Sequence, residues 1–264
     1  AGLGLAGELG SGITLVADRL SALMLVLTGL IFRAVAIDVR AKSDRPGWTT
    51  SWDVAFSIGS ILPSLLYAVA VGNLIRGLEL NAAGDYTGGF FALLNPYALL
   101  TGLVGLSMFA VHGALYLAVK TVGETQRKAR RWAARAWWAY ELTFFMAAGW
   151  TVSGYLRGFV ALPAILGAAA AVSIVLIRVF NARGEDFKAF LASCAGIALV
   201  MLSVVAVIFP ALVFARNEPA LSLTIFNASS SLRTLTTMLI IALLGMPVVI
   251  GYTVYIHRIF RGKV

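Results

Sequence analysis

Charged residues are scarce in this sequence. They make up 12% of its 264 residues, whereas hydrophobic residues make up 60% and the mean hydropathy is +0.89. Soluble proteins contain about 25% charged residues, so a water-soluble domain of this composition would leave much apolar surface in contact with water. The composition therefore excludes a soluble enzyme or binding module and indicates an integral membrane protein.

Cysteine and histidine are also rare. Cys194 is the single cysteine, so the chain has neither an internal disulfide nor a cysteine pair for a metal. The two histidines, His112 and His257, are far apart in the sequence. No Cys-x-x-Cys-His motif, P-loop or dinucleotide-binding fingerprint occurs. The sequence predicts no metal site and no catalytic centre within this chain.

Long apolar segments account for most of the sequence. Each is about 20 residues long, which is the length that an α-helix needs to cross a bilayer. The alternating strands of about ten residues that build a membrane β-barrel are absent, so each segment is predicted to be helical. The predicted fold is an all-α polytopic membrane bundle of about seven transmembrane helices, forming a single domain over residues 1–264. The segments are Ile13–Phe32, Phe56–Leu74, Asn95–Val119, Trp137–Tyr155, Val160–Phe180, Phe190–Phe214 and Leu235–Ile259.

Lysine and arginine are concentrated in every second loop. The basic connections are Arg33–Arg45, Lys120–Arg135 and Arg178–Lys188, and the C-terminus is basic as well. Basic loops are retained on the cytoplasmic side, so the N-terminus is predicted outside and the C-terminus in the cytoplasm. This topology explains the net charge of +9. The basic residues are spread over loops rather than gathered on one face, which argues against a nucleic-acid partner.

Few ionisable residues lie near the apolar segments, where an unpaired charge costs about 3 kcal/mol or more. Arg33 and Asp38 follow the first segment and form either a positive-inside anchor with its counter-ion or a water-filled proton entry. Asp53 begins the second segment, where helix capping is favoured over proton transfer. Glu141 lies early in the fourth segment, where it either relays protons or extends toward the basic third loop.

Two further polar residues are expected inside the bundle. Asn73 ends the second segment and is able to donate hydrogen bonds to a neighbouring helix. His112, in the third segment, is a residue type that ligates haem iron. For His112 the favoured interpretation is instead a packed, hydrogen-bonded residue that faces another helix.

Several short motifs occur in an order and spacing shared with one family. They are Phe32-Arg33-Ala34-Val35-Ala36-Ile37-Asp38-Val39-Arg40, Trp52-Asp53, Gly59-Ser60, Gly72-Asn73-Leu74, Asn95-Pro96-Tyr97, His112-Gly113-Ala114, Lys120-Thr121-Val122-Gly123 and Ser222-Leu223-Thr224-Ile225 with Asn227-Ala228-Ser229-Ser230. Through these motifs, residues from about 30 to 264 resemble subunit II of cytochrome bd-type and cyanide-insensitive quinol oxidases.

The resemblance implies a heterodimer in the plasma membrane of a prokaryote, in which quinol reduces oxygen to water. The partner subunit I would carry haems b and d and the quinol site, and this chain would bind no haem. A bound quinone and small accessory subunits are compatible with the resemblance. The implied role is assembly of subunit I and supply of protons from the cytoplasm. The proton-pathway candidates are Asp38, Glu141 and Asp53, and the structural polar candidates are Arg33, Asn73 and His112.

The beginning of the chain departs from that family. The family's first two helices, with their Gly-Phe-Asp and Trp-Asp-Gly-Asn motifs, are expected before Ile13 and are not in the sequence. Residues 1–29 form an atypical segment, because Gly12–Met24, with Asp18 and Arg19, resembles a helix of antiporter-like subunits of cation/proton antiporters and respiratory complex I. Two alternatives to an oxidase subunit follow, namely an independent membrane transporter and a truncated or fused fragment without function.

Overall fold

The structure is a computed structural model that describes residues 24–43, 45–156, 160–259 and 262. Seven helices in this part of the chain confirm the predicted all-α bundle. Five of them, α2, α3, α5, α6 and α7, are long and apolar enough to cross a membrane. The helices are α1 (residues 24–40), α2 (Pro46–Arg76), α3 (Pro96–Lys120), α4 (Gly123–Gly154), α5 (Ala161–Ala182), α6 (Asp186–Ile208) and α7 (Leu232–Ile259).

Helix α4 differs most from its predicted bounds. Its span was predicted to begin at Trp137 after a loop over Lys120–Arg135, but the helix begins at Gly123. The basic segment is helical because Ala129 and Ala133 are buried in it while α3 packs along α4. Packing of such an apolar stripe stabilises a helix whose opposite face is charged.

Helices α1 and α2 also differ from their predicted bounds. Helix α2 begins at Pro46 rather than Phe56. Proline suits the first turn of a helix, and the polar residues between Pro46 and Phe56 are helical as well. The predicted first span, Ile13–Phe32, falls partly on residues 13–23, which lie outside the described residues. Its described part belongs to α1, which continues to residue 40.

The end of α6 is shorter than predicted. The helix stops at Ile208 rather than Phe214, because the chain then forms β1 (Ala211–Val213), which pairs antiparallel with β2 (Leu223–Thr224). The observed bounds of α3, α5 and α7 agree with their predicted spans to within a few residues.

The two ends of the bundle are built differently. At the end that carries β1 and β2, here called the strand end, the Asn217 amide donates to the carbonyl of Leu80 at 2.8 Å, and the Leu80 N–H donates back at 3.0 Å. At the opposite end, here called the turn end, short turns join α3 to α4 and α5 to α6. Successive connections between the helices lie alternately at the two ends, which agrees with the predicted topology. The membrane side that each end faces stays a prediction.

Helices α1 and α2 cross at glycines. A Cβ atom at Gly59 would lie 2.5 Å from the carbonyl oxygen of Gly29 and 2.9 Å from the backbone nitrogen of Arg33. The ring of Pro63 approaches to 3.0 Å of the Cβ position at Gly29. Small residues permit such close helix contacts in membranes, which gives the Gly59-Ser60 motif and Pro63 a packing role.

The largest apolar cluster lies between α3, α4, α5 and α6. Its almost completely buried members include Leu115, Tyr140, Ile174 and Ala189, one from each helix. The indole N–H of Trp137 donates to the carbonyl of Ile174 at 2.7 Å and connects α4 to α5.

Candidate functional site

The predicted acidic candidate Asp53 is part of an ion pair. Arg40 donates to it twice, from Nε to Oδ1 at 2.5 Å and from Nη2 to Oδ2 at 3.3 Å. The hydrogen bond to Asp53, together with the attraction of its charge, raises the pKa of Arg40 above its ordinary value. The predicted capping role of Asp53 is wrong, because α2 begins two turns earlier and Arg45 occupies the cap position. The contact joins the ends of α1 and α2.

Arg33 and Asp38 do not pair with each other. Both side chains are exposed on α1, and the guanidinium carbon of Arg33 lies 6.0 Å from the ring centre of Phe56 on α2. Among the described residues, no ion pair involves Asp38. The separation agrees with their five-residue spacing, which turns one side chain about 140° from the other on a helix.

Asn73 connects α2 to the start of α3, as predicted for an amide that donates to a neighbour. It is buried, and its Nδ2 donates to the carbonyls of Val69 at 3.0 Å and Leu93 at 2.7 Å. Its Oδ1 accepts from the amide of Asn95 at 2.8 Å, and Asn95 Oδ1 accepts from the N–H of Ala98 at 3.0 Å to cap α3. The network contains the asparagines of two of the family motifs and joins α2 to the start of α3.

His112 faces another helix, as the favoured interpretation predicted. Its Nδ1 lies 2.8 Å from the hydroxyl of Ser193 on α6, and its ring stacks on Phe190 with centroids 4.9 Å apart. The Ser193 hydroxyl donates to the carbonyl of Phe190 at 2.6 Å, so it accepts from an Nδ1–H of the imidazole. His112 thus tethers α3 to α6.

Glu141 lies in the middle of α4, away from Asp38 and Asp53. Its side chain is half-buried, and no ion pair joins it to another described residue. The structure therefore places Asp38 near the end of α1 and Asp53 near the start of α2, and it leaves Glu141 as a separate carboxylate in α4.

One ion pair with a buried carboxylate was not predicted from the sequence. Asp186, which is 7% exposed, accepts from Arg130 Nε at 2.6 Å, from Arg130 Nη2 at 2.8 Å and from Gln126 Nε2 at 2.8 Å. Arg130 also donates to the carbonyl of Gly184 at 3.1 Å, and Gln126 to that of Ala118 at 3.2 Å. The hydrogen bond to Asp186 raises the pKa of Arg130. This network fixes three helices and the α5–α6 turn at the turn end.

One signal in the sequence could have revealed the inward position of Arg130. Gln126, Arg130, Ala133 and Trp137 recur at helical spacing, and such a stripe marks the buried face of a helix. Asp186 lies 56 positions away from Arg130, and no local pattern connects residues so distant.

A cavity of 470 Å³ is lined by α2, α3, α4, α5 and α6 in the half of the bundle nearest the strand end. Apolar side chains such as Met108, Phe144 and Val204 form most of its wall. Five residues with hydroxyl groups also line it, and the hydroxyls of two of them, Tyr97 and Thr151, are hydrogen-bonded to each other at 2.7 Å. The other three are Tyr67, Thr101 and Ser203. The cavity is therefore suited to an apolar occupant.

The fold and these contacts define a polytopic helical membrane protein whose polar side chains connect its helices. Among the described residues, no group of three or more histidine, cysteine, aspartate or glutamate side chains could hold a metal ion.

Comparison with known proteins then specifies the family. The family model for cytochrome bd terminal oxidase subunit II matches residues 13–260. The chain is 31% identical over 279 residues to cytochrome bd-I ubiquinol oxidase subunit 2 of Escherichia coli, covering 92% of this chain and 73% of that protein. It is 31% identical over 276 residues to the probable cytochrome oxidase subunit 2 of Haemophilus influenzae, with the same coverage. It is 28% identical over 245 residues to the Bacillus subtilis cytochrome bd ubiquinol oxidase subunit 2, covering 91% and 72%.

The chain belongs to the cytochrome bd terminal oxidase subunit II family. The match confirms the resemblance drawn from the motifs and begins at residue 13, inside the segment compared above with an antiporter-like helix. Membership in this family, together with the five long apolar helices, makes the chain a protein of the bacterial inner membrane.

Proposed function

We propose that this chain is the non-haem subunit II of a cytochrome bd-type quinol oxidase. In this role it stabilises the haem-bearing subunit I and supplies protons from the cytoplasm while quinol reduces oxygen to water. The family membership supports the assignment, since the relatives from Escherichia coli and Bacillus subtilis are named as subunit 2 of ubiquinol oxidases.

The observation that carries the assembly role is the exposure of α7. None of its residues is buried, and none of the helices α2 to α6 packs along it. Leu239, Ile241 and Leu244 point in different directions around the helix axis, yet they are 59%, 65% and 71% exposed. Helices associate in membranes through van der Waals packing of such surfaces. Helix α7 therefore offers subunit I a complete helix surface.

The carboxylates support a proton-supply role unequally. Asp53 already accepts two hydrogen bonds from Arg40, a contact that proton transfer would have to break. Asp38 is exposed at the end that the charge pattern assigns to the cytoplasm. Glu141 is half-buried in α4, where a carboxylate is a default candidate for a proton relay. We therefore assign proton entry to Asp38 and an interior relay to Glu141.

The cavity supports one further part of the proposal. Its apolar wall suits the isoprenoid tail of a quinone, which is the bound cofactor compatible with the resemblance. Organic extraction of the purified protein, followed by chromatography of the extract, tests this assignment. A stoichiometric quinone is expected, and an extract without quinone would contradict it.

Co-purification of haem tests the proposed function. The chain is co-expressed with a matching subunit I and purified through a tag on this chain, and a reduced-minus-oxidised spectrum is recorded. Bands of haem b and haem d are expected in the purified sample. A stable but colourless protein would contradict the proposal and favour an independent transporter.

A pair of matched variants tests the role of α7 in the same experiment. Each variant replaces three exposed apolar residues with alanine, so both keep a helix that can insert into the membrane. The α7 variant is expected to lose co-purified haem, whereas the α5 control keeps it; equal haem in both would exclude α7 as the contact. The α7 variant changes Leu239, Leu244 and Val248, and the control changes Leu162, Ile165 and Val172.

A further inference from the structure

The arginines in the first turns of α4 lie in two different environments. Arg130 points inward to Asp186, whereas Arg127, Arg131 and Arg135 are exposed. Residues four apart on a helix differ by only about 40° around its axis, and eight residues rise about 12 Å. The three exposed arginines, here called the arginine row, therefore form one continuous strip of positive charge.

The arginine row has no acidic partner among the described residues. Glu124, an acid on the same face, pairs with Lys128 at 2.8 Å. The guanidinium carbon of Arg135 lies 6.0 Å from the ring centre of Trp132, which is 64% exposed. The positive charge of the row is therefore available to an anion from outside the chain.

The position of the row along α4 matches a membrane boundary. Arg130 contacts the carbonyl of Gly184 at 3.1 Å, in the turn between α5 and α6. Two membrane helices thus end at the level of the row. Exposed tryptophans such as Trp132 and Trp138 are typical of the headgroup region at such a boundary.

The same face of α4 becomes apolar directly beyond the row. Trp138, Leu142, Phe145 and Met146 are 61%, 63%, 50% and 55% exposed. A headgroup phosphate at the row would therefore have its acyl chains beside exposed apolar side chains. A free phosphate or an acidic peptide would make no use of this second part of the surface.

We propose that the arginine row binds the headgroup phosphate of an anionic phospholipid, with the acyl chains lying along Trp138, Leu142 and Phe145. Arginine suits this role because its planar guanidinium can donate two parallel hydrogen bonds to a phosphate. Basic clusters at the ends of membrane helices also attract anionic lipids electrostatically.

Lipid titration of the full-length chain tests the proposal. The delipidated protein, in complex with subunit I where that complex forms, is titrated with dioleoyl phosphatidylglycerol or dioleoyl phosphatidylcholine, and bound lipid is counted by native mass spectrometry. Two triple variants remove the same charge. The row variant is R127Q/R131Q/R135Q, and the control is K42Q/R183Q/K188Q, whose residues are exposed on the connections and on α6.

The wild type and the control are expected to bind phosphatidylglycerol more tightly than phosphatidylcholine. The row variant is expected to lose at least about tenfold in its affinity for phosphatidylglycerol, since each arginine near an anionic surface contributes roughly fivefold. Equal losses in the row variant and the control would overturn the proposal in favour of net charge alone. Unchanged binding by the row variant would overturn it as well. If the row variant lost subunit I but kept its lipid preference, the row would be a protein contact.

Single substitution keeps the test decisive if the triple variant does not fold. R131Q, checked by gel filtration, is expected to weaken phosphatidylglycerol binding by about fivefold with no effect on phosphatidylcholine. An equal change for both lipids, or no change, would refute a headgroup contact at the row.

Discussion

Replacing Arg130 with methionine removes the main partner of a buried carboxylate. Asp186 would keep only the hydrogen bond from Gln126, because both of its other donors belong to Arg130. The methionine side chain still fills the space beside α6, so the substitution tests the loss of charge and hydrogen bonds rather than the loss of volume.

The expected cost follows from burial. Removing one partner of a fully buried ion pair costs about 3–5 kcal/mol. Here the side chain of Asp186 is 7% exposed, but that of Arg130 is 32% exposed, so water reaches one side and the cost falls to about 2–4 kcal/mol. For a chain of this size the loss corresponds to a Tm lower by about 4–12 °C.

Cys194 provides the assay. It is the only cysteine of the chain and is partly buried in α6, so a thiol-reactive fluorescent dye reports unfolding in detergent. Lys128→Met is the matched control on the same helix, because it breaks the exposed pair with Glu124, whose side chains are 61% and 69% exposed. Such a pair contributes about 0.3–0.5 kcal/mol to stability. The Tm of the Lys128→Met variant should therefore barely differ from that of the wild type.

The double variant R130M/D186L completes the test. Replacing both members of a buried pair by apolar residues is often close to neutral, so the double variant is expected to unfold at a higher temperature than R130M alone. If R130M unfolded at nearly the same temperature as the wild type, as K128M is expected to do, the argument that this network stabilises the turn end would be refuted.

Three further substitutions address helix packing and proton supply. Gly59→Ala is expected to lower stability by about 1–3 kcal/mol, because its Cβ would lie 2.5 Å from the carbonyl of Gly29; in Gly113→Ala, the thermal-unfolding control, the new Cβ meets nothing within 4 Å. Asn73→Leu is expected to cost about 1–3 kcal/mol in the same assay, because it leaves buried partners without hydrogen bonds. Asp38→Asn is expected to slow oxygen consumption by roughly tenfold or more at normal haem content, since an amide does not take up and release protons as a carboxylate does; unchanged turnover would remove Asp38 from the pathway.

Hydropathy predicted the five long apolar helices found among the described residues, because a bilayer requires each spanning segment to be long and apolar. It could not predict where α4 begins. Residues from Gly123 to Arg135 are polar on average, yet α3 covers their buried stripe and keeps them helical. The basic loop assigned from the sequence is therefore the first part of a helix.

A polar contact could be predicted from the sequence where a polar side chain lies within an apolar segment and must find a hydrogen-bond partner inside the protein. A buried asparagine and a histidine inside an apolar segment need partners, and both Asn73 and His112 have them. The pair between Arg130 and Asp186 and the pair between Arg40 and Asp53 depend on how separate helices meet. Such pairings are set by tertiary structure and leave no signal in the local sequence.

Quinol-driven oxygen consumption tests the assignment most directly. The complex of this chain with a matching subunit I is compared, in membranes that lack other terminal oxidases, with subunit I expressed alone. The proposed function predicts quinol-dependent oxygen uptake and stable haem b and haem d only when both chains are present. Equal uptake and haem content with subunit I alone, or no uptake with both chains present, would contradict it.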